Sequence, residues 1–467
     1  MKKWRGKRWA LLLAGLCCWR LTGAEAADLS LDQAVRLSIE DNTGQKITEE
    51  SEVRRAAELD EARRSKGVSV TAGASANTSK TWSEGSSNHN SNASSSANLN
   101  ASMPLINKSN DKNIDSAELA LDTARLAAER AREDLRLSVV EAYYDALQAR
   151  DTIAVNRESL SNLEKHLSNT EILYQAGSKA RMDVLRAAVE VSNAKQTLIS
   201  SESSYEVSLA NLRNLTNIDR DEPLTLTTSV AYVPFLEELD DVLSYGQRMR
   251  KDLQSDSIAV ERAKVSLDLV KAAYHPTLSL SVGTNGGWNY RPSNDHNHGV
   301  SAGLNLNWNI FDNGQREAKL RAAESDIKTA ELTLQKDRET VDYSIREAYH
   351  NMRAAERKQE ATRDAVGLAR EERYIASEKY RVGEGIMLDI IDAELALSRA
   401  ELNYIEAQYS YARYRAQIEN RMGKPLDELP AAASPAEASA ADERRVTTQP
   451  TGEKDAAQEA RDAGRSA

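Results

Sequence analysis

The chain has 467 residues, with 61 Lys and Arg against 72 Asp and Glu and a formal net charge of −11. That is length enough for two or three ordinary domains, and the acidic balance argues against nucleic acid as a partner. Only 2 residues are Phe, and 21 Gly and 9 Pro are few for this length, a composition that favours long helices and argues against an ordinary α/β enzyme.

Residues 1–26 read as an export signal. Lys2, Lys3, Arg5, Lys7 and Arg8 form a basic head, Trp9 to Trp19 an apolar stretch, and Ala24-Glu25-Ala26 a small-x-small cleavage site. Both cysteines, Cys17 and Cys18, lie inside this segment, so the exported chain is expected to carry no thiol, disulfide or Cys-bound metal. A lipid-anchored Cys is the rival reading, against which Leu16 is a poor small residue before Cys17. Beyond the signal no run of about 18 apolar residues occurs, so no membrane-spanning helix is expected.

Ser30-x-x-Gln33 has the form of a capping box at the start of a first helix. Two stretches with alternating apolar and polar residues follow, Val70 to Asn77 and Ala97 to Met103, joined by a polar connection over Ser83 to Ser96. From Leu105 to Glu222 there is no Pro and Gly177 is the only Gly, while Leu121, Ala128, Leu135, Ala142 and Ala149 repeat every seven residues, the pattern of supercoiled helices. Residues 108–174, if one helix at 1.5 Å per residue, reach on the order of 100 Å.

The same order then recurs. Leu278 to Thr284 and Val300 to Ile310 alternate, with Arg291 to His298 as their connection, and Ile327, Leu334, Val341, Ala348 and Ala355 carry a second seven-residue spacing. Glu141-Ala142-Tyr143 matches Glu347-Ala348-Tyr349, Tyr174-x-x-Gly177 matches Tyr380-x-x-Gly383, and Asp183 matches Asp389, all at an offset of 206. The expected organisation is two copies, 27–220 and 221–429. Pro430 to Ala467 holds Val446 as its one large aliphatic residue and is expected to be a disordered tail.

Each copy thus has one hairpin with an apolar and an Asn/Ser face, which suits a tilted strand of a membrane barrel with a wet lumen. Trp82, Trp288 and Trp308 fall in these regions, where interfacial aromatic residues belong. A soluble sandwich with one solvated face is the alternative from periodicity alone. Four strands cannot close a barrel, so a membrane role requires at least two protomers, most simply in a symmetric ring. His296-x-His298 is read as a solvated loop, Gly283 to Gly287 precedes no helix, and no catalytic constellation or metal site is found, so neither an enzyme nor a cofactor is expected.

The order of these signals resembles the TolC-like outer-membrane efflux protein family. The residues that carry the resemblance are Leu31-Asp32-x-Ala34 with Asp41-Asn42, Phe311-Asp312-x-Gly314, and Tyr380-x-x-Gly383 followed by Leu388-Asp389-Ile390-Ile391-Asp392-Ala393. The resemblance implies a mostly α fold with a β-barrel part: a homotrimer with four membrane strands per protomer and long coiled helices forming a periplasmic α-barrel. It implies a passive exit duct in the outer membrane, extending into the periplasm. Its partners would be a periplasmic adaptor and an inner-membrane pump of RND or ABC type, as in tripartite efflux or type I secretion. A soluble periplasmic coiled-coil scaffold or adaptor is the alternative function.

By the same resemblance Gly177 and Gly383 mark the turns at the periplasmic tip, Asp389 and Asp392 match the acids that ring the aperture, and Asp183 and Tyr380 match a pair that ties neighbouring coils in the closed tip. The Arg expected two residues after the second-turn Gly is Gly385 here, with Lys179 or Arg181 as substitutes lacking a positional match. Two structural readings stand beside these roles. An acid in a first helical turn complements the helix dipole, and a Tyr between helices packs.

Overall fold

The computed structural model describes residues 27–81, 90–219, 223–230, 232–292 and 294–424. The expected signal segment with Cys17 and Cys18, Trp82, and the tail from 430 lie outside the described residues.

The chain is mostly helical. A short strand β1 (Ala27–Leu29) leads to α1 (Leu31–Asp41) and α2 (Thr43–Arg64), then the hairpin of β2 (Ser69–Thr81) and β3 (Asn90–Ile106), and the long α3 (Lys108–Gln175) with α4 (Arg181–Thr216) returning along it. After β4 (Leu224–Leu226) come α5 (Leu239–Met249), α6 (Lys251–Ala272), the hairpin of β5 (Thr277–Arg291) and β6 (Asp295–Asn307), then α7 (Gln315–Arg381) and α8 (Met387–Met422). Helix lengths of 11, 22, 68 and 36 residues are followed by 11, 22, 67 and 36. At 1.5 Å per residue α3 and α7 are each about 100 Å long.

Local chemistry explains the helix starts. The Ser30 hydroxyl accepts from the Gln33 amide at 3.3 Å while Gln33 Oε1 accepts from the Ser30 amide at 2.9 Å, the reciprocal box its sequence announced. Asn42 Oδ1 accepts from the Gly44 and Gln45 amides at the head of α2. The Phe311-Asp312-x-Gly314 motif is also a helix start. Asp312 Oδ2 accepts from the Arg316 amide at 3.0 Å and from its guanidinium at 2.7 Å, with Gly314 at φ +82°.

The middle of the rods holds the core. Leu29 and Leu31 pack with Val139, Tyr143 and Leu147 of α3 and Leu212 of α4, and Phe235, Val242, Val341, Ile345, Met352 and Ile418 form a second cluster. β1 pairs in parallel with β4. The Tyr143 hydroxyl fixes that pair, donating to the Leu29 carbonyl at 2.8 Å and accepting from the Thr228 amide at 3.1 Å. Three-residue strands carry too little periodicity to be read from sequence.

β2, β3, β5 and β6 form one antiparallel sheet in that order. One face is apolar: Leu280 lies between Met103 and Leu304, Val282 between Ala101 and Ala302, and Leu99 opposite Ala72. The other face bears Asn98, Asn100, Asn285, Asn297 and Asn305 among Ser and Gly. Gly73 leaves room there for an amide, since a Cβ at 73 would lie 2.7 Å from Asn98 Oδ1.

The strands correct three expectations. They run 13 to 17 residues, so 90–96 belong to β3 and are not part of the connection. His296 and His298 likewise stand in β6, facing Trp288 and Gly286, rather than in a loop. These Ser/Asn/His extensions lack apolar alternation and have low strand propensity, but backbone pairing with a neighbouring strand decides. In the other direction, the alternation of 300–310 outruns its strand. Pairing stops at Asn307 opposite Thr277, because Pro276 has no N–H to continue the ladder. Trp308 lies past that end, its indole N–H donating to the Tyr274 carbonyl at 3.0 Å. Among the described residues no helix is long and apolar enough to cross a membrane.

Candidate functional site

The two long helices end in matching turns. Gly177 and Gly383 adopt φ of +74° and +84°, a left-handed conformation that closes a helix at least cost for a residue without Cβ. The Ser178 amide then bonds the Leu173 carbonyl and the Glu384 amide the Lys379 carbonyl, each at 2.9 Å.

Both candidate acids at the helix starts beyond these turns are engaged locally. Asp183 Oδ2 accepts from the Ala180 amide at 3.3 Å, and Asp389 Oδ2 from the Ile386 amide at 3.2 Å. Each carboxylate therefore sits against the partial positive charge of its own helix N-terminus. Asp392 lies one turn along α8 from Asp389, and both are exposed, on the side opposite the buried Met387, Ile390, Ile391 and Leu397.

The expected hydrogen bond from Tyr380 to Asp183 is absent from the protomer. The Tyr380 hydroxyl is buried without a hydrogen-bond partner, and the Asp183 carboxylate accepts from the Ala180 amide at its own helix start. The Tyr380 ring instead packs on Ala187, Met387 and Ile391 on one side and Ala376, Ile390 and Ala393 on the other. Above its face lies the Lys179 ammonium, 4.6 Å from the centroid. Lys179 belongs to the first turn and Tyr380 to α7, so this cation–π contact links the two helical hairpins.

Gly385 is buried beneath the second turn. A Cβ there would come 2.9 Å from the Tyr380 amide nitrogen and 3.2 Å from the Lys379 carbonyl carbon, so this turn as folded has no space for an Arg at 385. Arg181, the other substitute considered, is exposed at the first position of α4. Sequence reasoning missed a buried acid on α8, Glu394, 3% exposed and bonded by Asn162 of α3 at 3.0 Å; its signal is an acid on the apolar stripe of α8.

At the other end of the molecule, Trp288 and Tyr290 on β5 and Trp308 beyond β6 are exposed. From Leu278 to Trp288 the apolar face spans ten residue steps, which at about 3.4 Å each and a tilt of about 40° gives roughly 25 Å of depth, the height of the apolar band of an outer-membrane barrel. Among the described residues no group of three or more His, Cys, Asp or Glu is placed to hold a metal.

Comparison with known proteins places this geometry. Protein CyaE of Bordetella pertussis is 24% identical over 315 residues, 66% of this chain and 64% of that one. The outer membrane protein TolC of Vibrio cholerae is 24% identical over 335 residues, 70% of this chain and 76% of that one. Among solved structures, the CmeC outer membrane channel of Campylobacter jejuni is 18% identical with a TM-score of 0.70, covering 84% of this chain and 85% of that one. The open state of the MtrE outer membrane channel of Neisseria gonorrhoeae is 19% identical with a TM-score of 0.67, covering 85% and 89%. The match to CyaE spans a little under two thirds of that protein, and the structural likenesses speak for the fold. The family model for outer membrane efflux proteins matches residues 49–217 and 247–424, most of the chain, and the chain therefore belongs to the outer membrane efflux protein family.

Proposed function

We propose that the chain is one third of a trimeric outer-membrane duct, a passive exit for cargo driven by an inner-membrane pump through a periplasmic adaptor. The observation that carries this reading is the four-stranded sheet. It has one apolar face, one amide-lined face and two open edges, β2 and β6, of 13 residues each. An edge exposed to lipid leaves backbone N–H and C=O groups unpaired, at several kcal/mol each. Pairing β6 of one protomer with β2 of the next removes every edge, and three protomers give twelve strands around a wet lumen.

The helical hairpins then continue the duct into the periplasm and end at the Gly177 and Gly383 turns. There Asp389 and Asp392 from three copies ring the aperture, where carboxylates favour cations. Lys179 on Tyr380 holds the two hairpins of a protomer together while the tip is closed, in the place of the family pair of Asp183 and Tyr380. The two copies, 27–220 and 221–429, supply the outer and inner hairpin respectively. The relatives named above include a TolC, and the tripartite role with a pump of RND or ABC type comes to this chain from that family. The test is insertion of the detergent-purified protein into planar bilayers. Discrete cation-preferring steps are expected, and a protein that stays in the soluble fraction and forms none would be the periplasmic scaffold instead.

A further inference from the structure

The long helices leave two flanks without a neighbour. α3 packs against α4 on one side and α8 on the other, and α8 packs against α7, so the four run in the order α4, α3, α8, α7. Among the described residues α4 and α7 do not pack along each other. The bare flank of α4 is apolar, with Leu185, Val189, Ile199 and Val207 each more than half exposed, and on α7 Leu368 is 70% exposed. A row of large apolar side chains on an open helix flank marks a surface that a partner covers.

The internal repeat identifies that partner. At the offset of 206, α4 corresponds to α8 and α3 to α7. Leu185, Val189 and Ile199 of α4 correspond to Ile391, Leu395 and Ile405 of α8, and the protomer covers those. Ile391 and Leu395 cluster with Leu167 of α3, and Ile405 packs on the core that holds Val139 and Tyr143 of α3. The seam of α3 with α8 therefore calls for a second version, α7 of one copy against α4 of the next, and such head-to-tail repetition closes a ring. Its register follows from the bonds of the first seam. Asn162 with Glu394, Asp151 with Tyr409 and Asp145 with Arg413 become Leu368 with Ala188, Arg357 with Ser203 and Asn351 with Val207. Where α4 has a smaller residue than α8, α7 has one at least as large as that of α3, so the volume of each contact is largely kept.

At Ser203 the exchange leaves a groove of about 740 Å³ between α3 and α4, with Asp151, Arg157, Glu202 and Glu206 in its lining. Arg157 pairs with Glu202, and Asp151 is held by Arg150 and Tyr409. Among the described residues Glu206 has no ion pair within the protomer, and neither has Arg357, which is exposed on α7. We propose that α7 of one protomer seats on α4 of the next, with Leu368 on Ala188 beside Leu185, and with the Arg357 guanidinium in the groove at Ser203, paired with Glu206. This deepens the duct reading and rests on it: the strand edges require sister copies, and the helix flanks set which residues of those copies meet.

Disulfide trapping in isolated outer membranes tests the seam. Cys17 and Cys18 fall in the expected signal segment and the chain has no other cysteine, so every thiol is an introduced one. Oxidation of an Ala188→Cys/Leu368→Cys protein is expected to give bands of two and three chains on a non-reducing gel, because each bond joins different copies. Either single variant, and the mismatched pair Asn162→Cys/Leu368→Cys, should give one chain. A three-chain particle whose matched pair gives no ladder, or a ladder from the mismatched pair, overturns the seam. Arg357→Glu and Glu206→Arg should each lower the temperature at which the detergent-extracted trimer dissociates, more so at low salt, and the two together should recover most of that loss. No loss, or no recovery, overturns the docking of Arg357. A trimer without the ladder leaves the duct reading standing, a ladder in a protein that forms no channels strikes the duct and leaves the seam, and a monomer strikes both.

Discussion

The Lys179 ammonium stands 4.6 Å over the Tyr380 ring, and this contact joins the two helical hairpins of one protomer beside their turns. At a partly exposed site such a contact contributes about 0.5–1 kcal/mol, or roughly a two- to fivefold bias toward the joined arrangement. Lys179→Met should raise resting conductance by about that factor. Tyr380→Phe keeps the ring face and removes a hydroxyl that has no partner, so conductance should hardly change, while Tyr380→Leu should open the tip. Equal opening in the Phe and Leu variants would assign the latch to the hydroxyl.

Gly385 sets a second expectation. Because a side chain at 385 collides with the backbone at Tyr380 and Lys379, Gly385→Arg should not tighten the tip as the family pattern suggests. It should displace the second turn and raise resting conductance, and Gly385→Ala should do so to a smaller degree. A tighter tip in the Arg variant would show that the turn accommodates the family residue.

The two acids proposed to ring the aperture, Asp389 and Asp392, should differ in what their removal costs. Asp392 makes no bond at a helix start, so Asp392→Asn should lower cation preference with little loss of stability. Asp389 also accepts from the Ile386 amide, so Asp389→Ala should add a loss of about 0.5–2 kcal/mol to the same change in selectivity, from the helix start it weakens. Reversal potentials across a salt gradient give the first quantity and thermal melting of the trimer the second. Unchanged reversal potentials in both variants would remove the acids from the aperture.

Those contrasts show what was legible in the residues and what was not. Long helices were readable because a Pro-free run with Leu121, Ala128 and Ala142 at seven-residue spacing leaves few other structures, and all three are buried. The turns at Gly177 and Gly383 were readable from the residue type that takes their φ at least cost. The strand ends were not: pairing between strands at 90–96 and 295–299 overrode a loop-like composition, and Pro276 ended a ladder whose alternation continued on the other strand. The site residues were found by position, but their partners depend on three-dimensional choices. Asp183 has an amide three residues away that competes for its carboxylate, and no spacing reveals which partner wins. Glu394 was passed over because its partners Asn162 and Arg373 are remote in sequence.

Tyr143 carries the clearest stability prediction. Its hydroxyl satisfies the Leu29 carbonyl and the Thr228 amide in a buried setting, so Tyr143→Phe strands both groups at a cost of about 1–3 kcal/mol. Thermal melting followed by circular dichroism should fall by several degrees with the helical signal at low temperature intact. An unchanged midpoint would mean that water reaches those groups.

Closure of the sheet edges by sister copies is tested most directly by the mass of the mature protein after extraction. The account predicts a particle of three chains that requires detergent to remain in solution and that forms cation-preferring steps in a bilayer. A stable monomer in plain buffer would contradict it, since β2 and β6 would then be edges facing water.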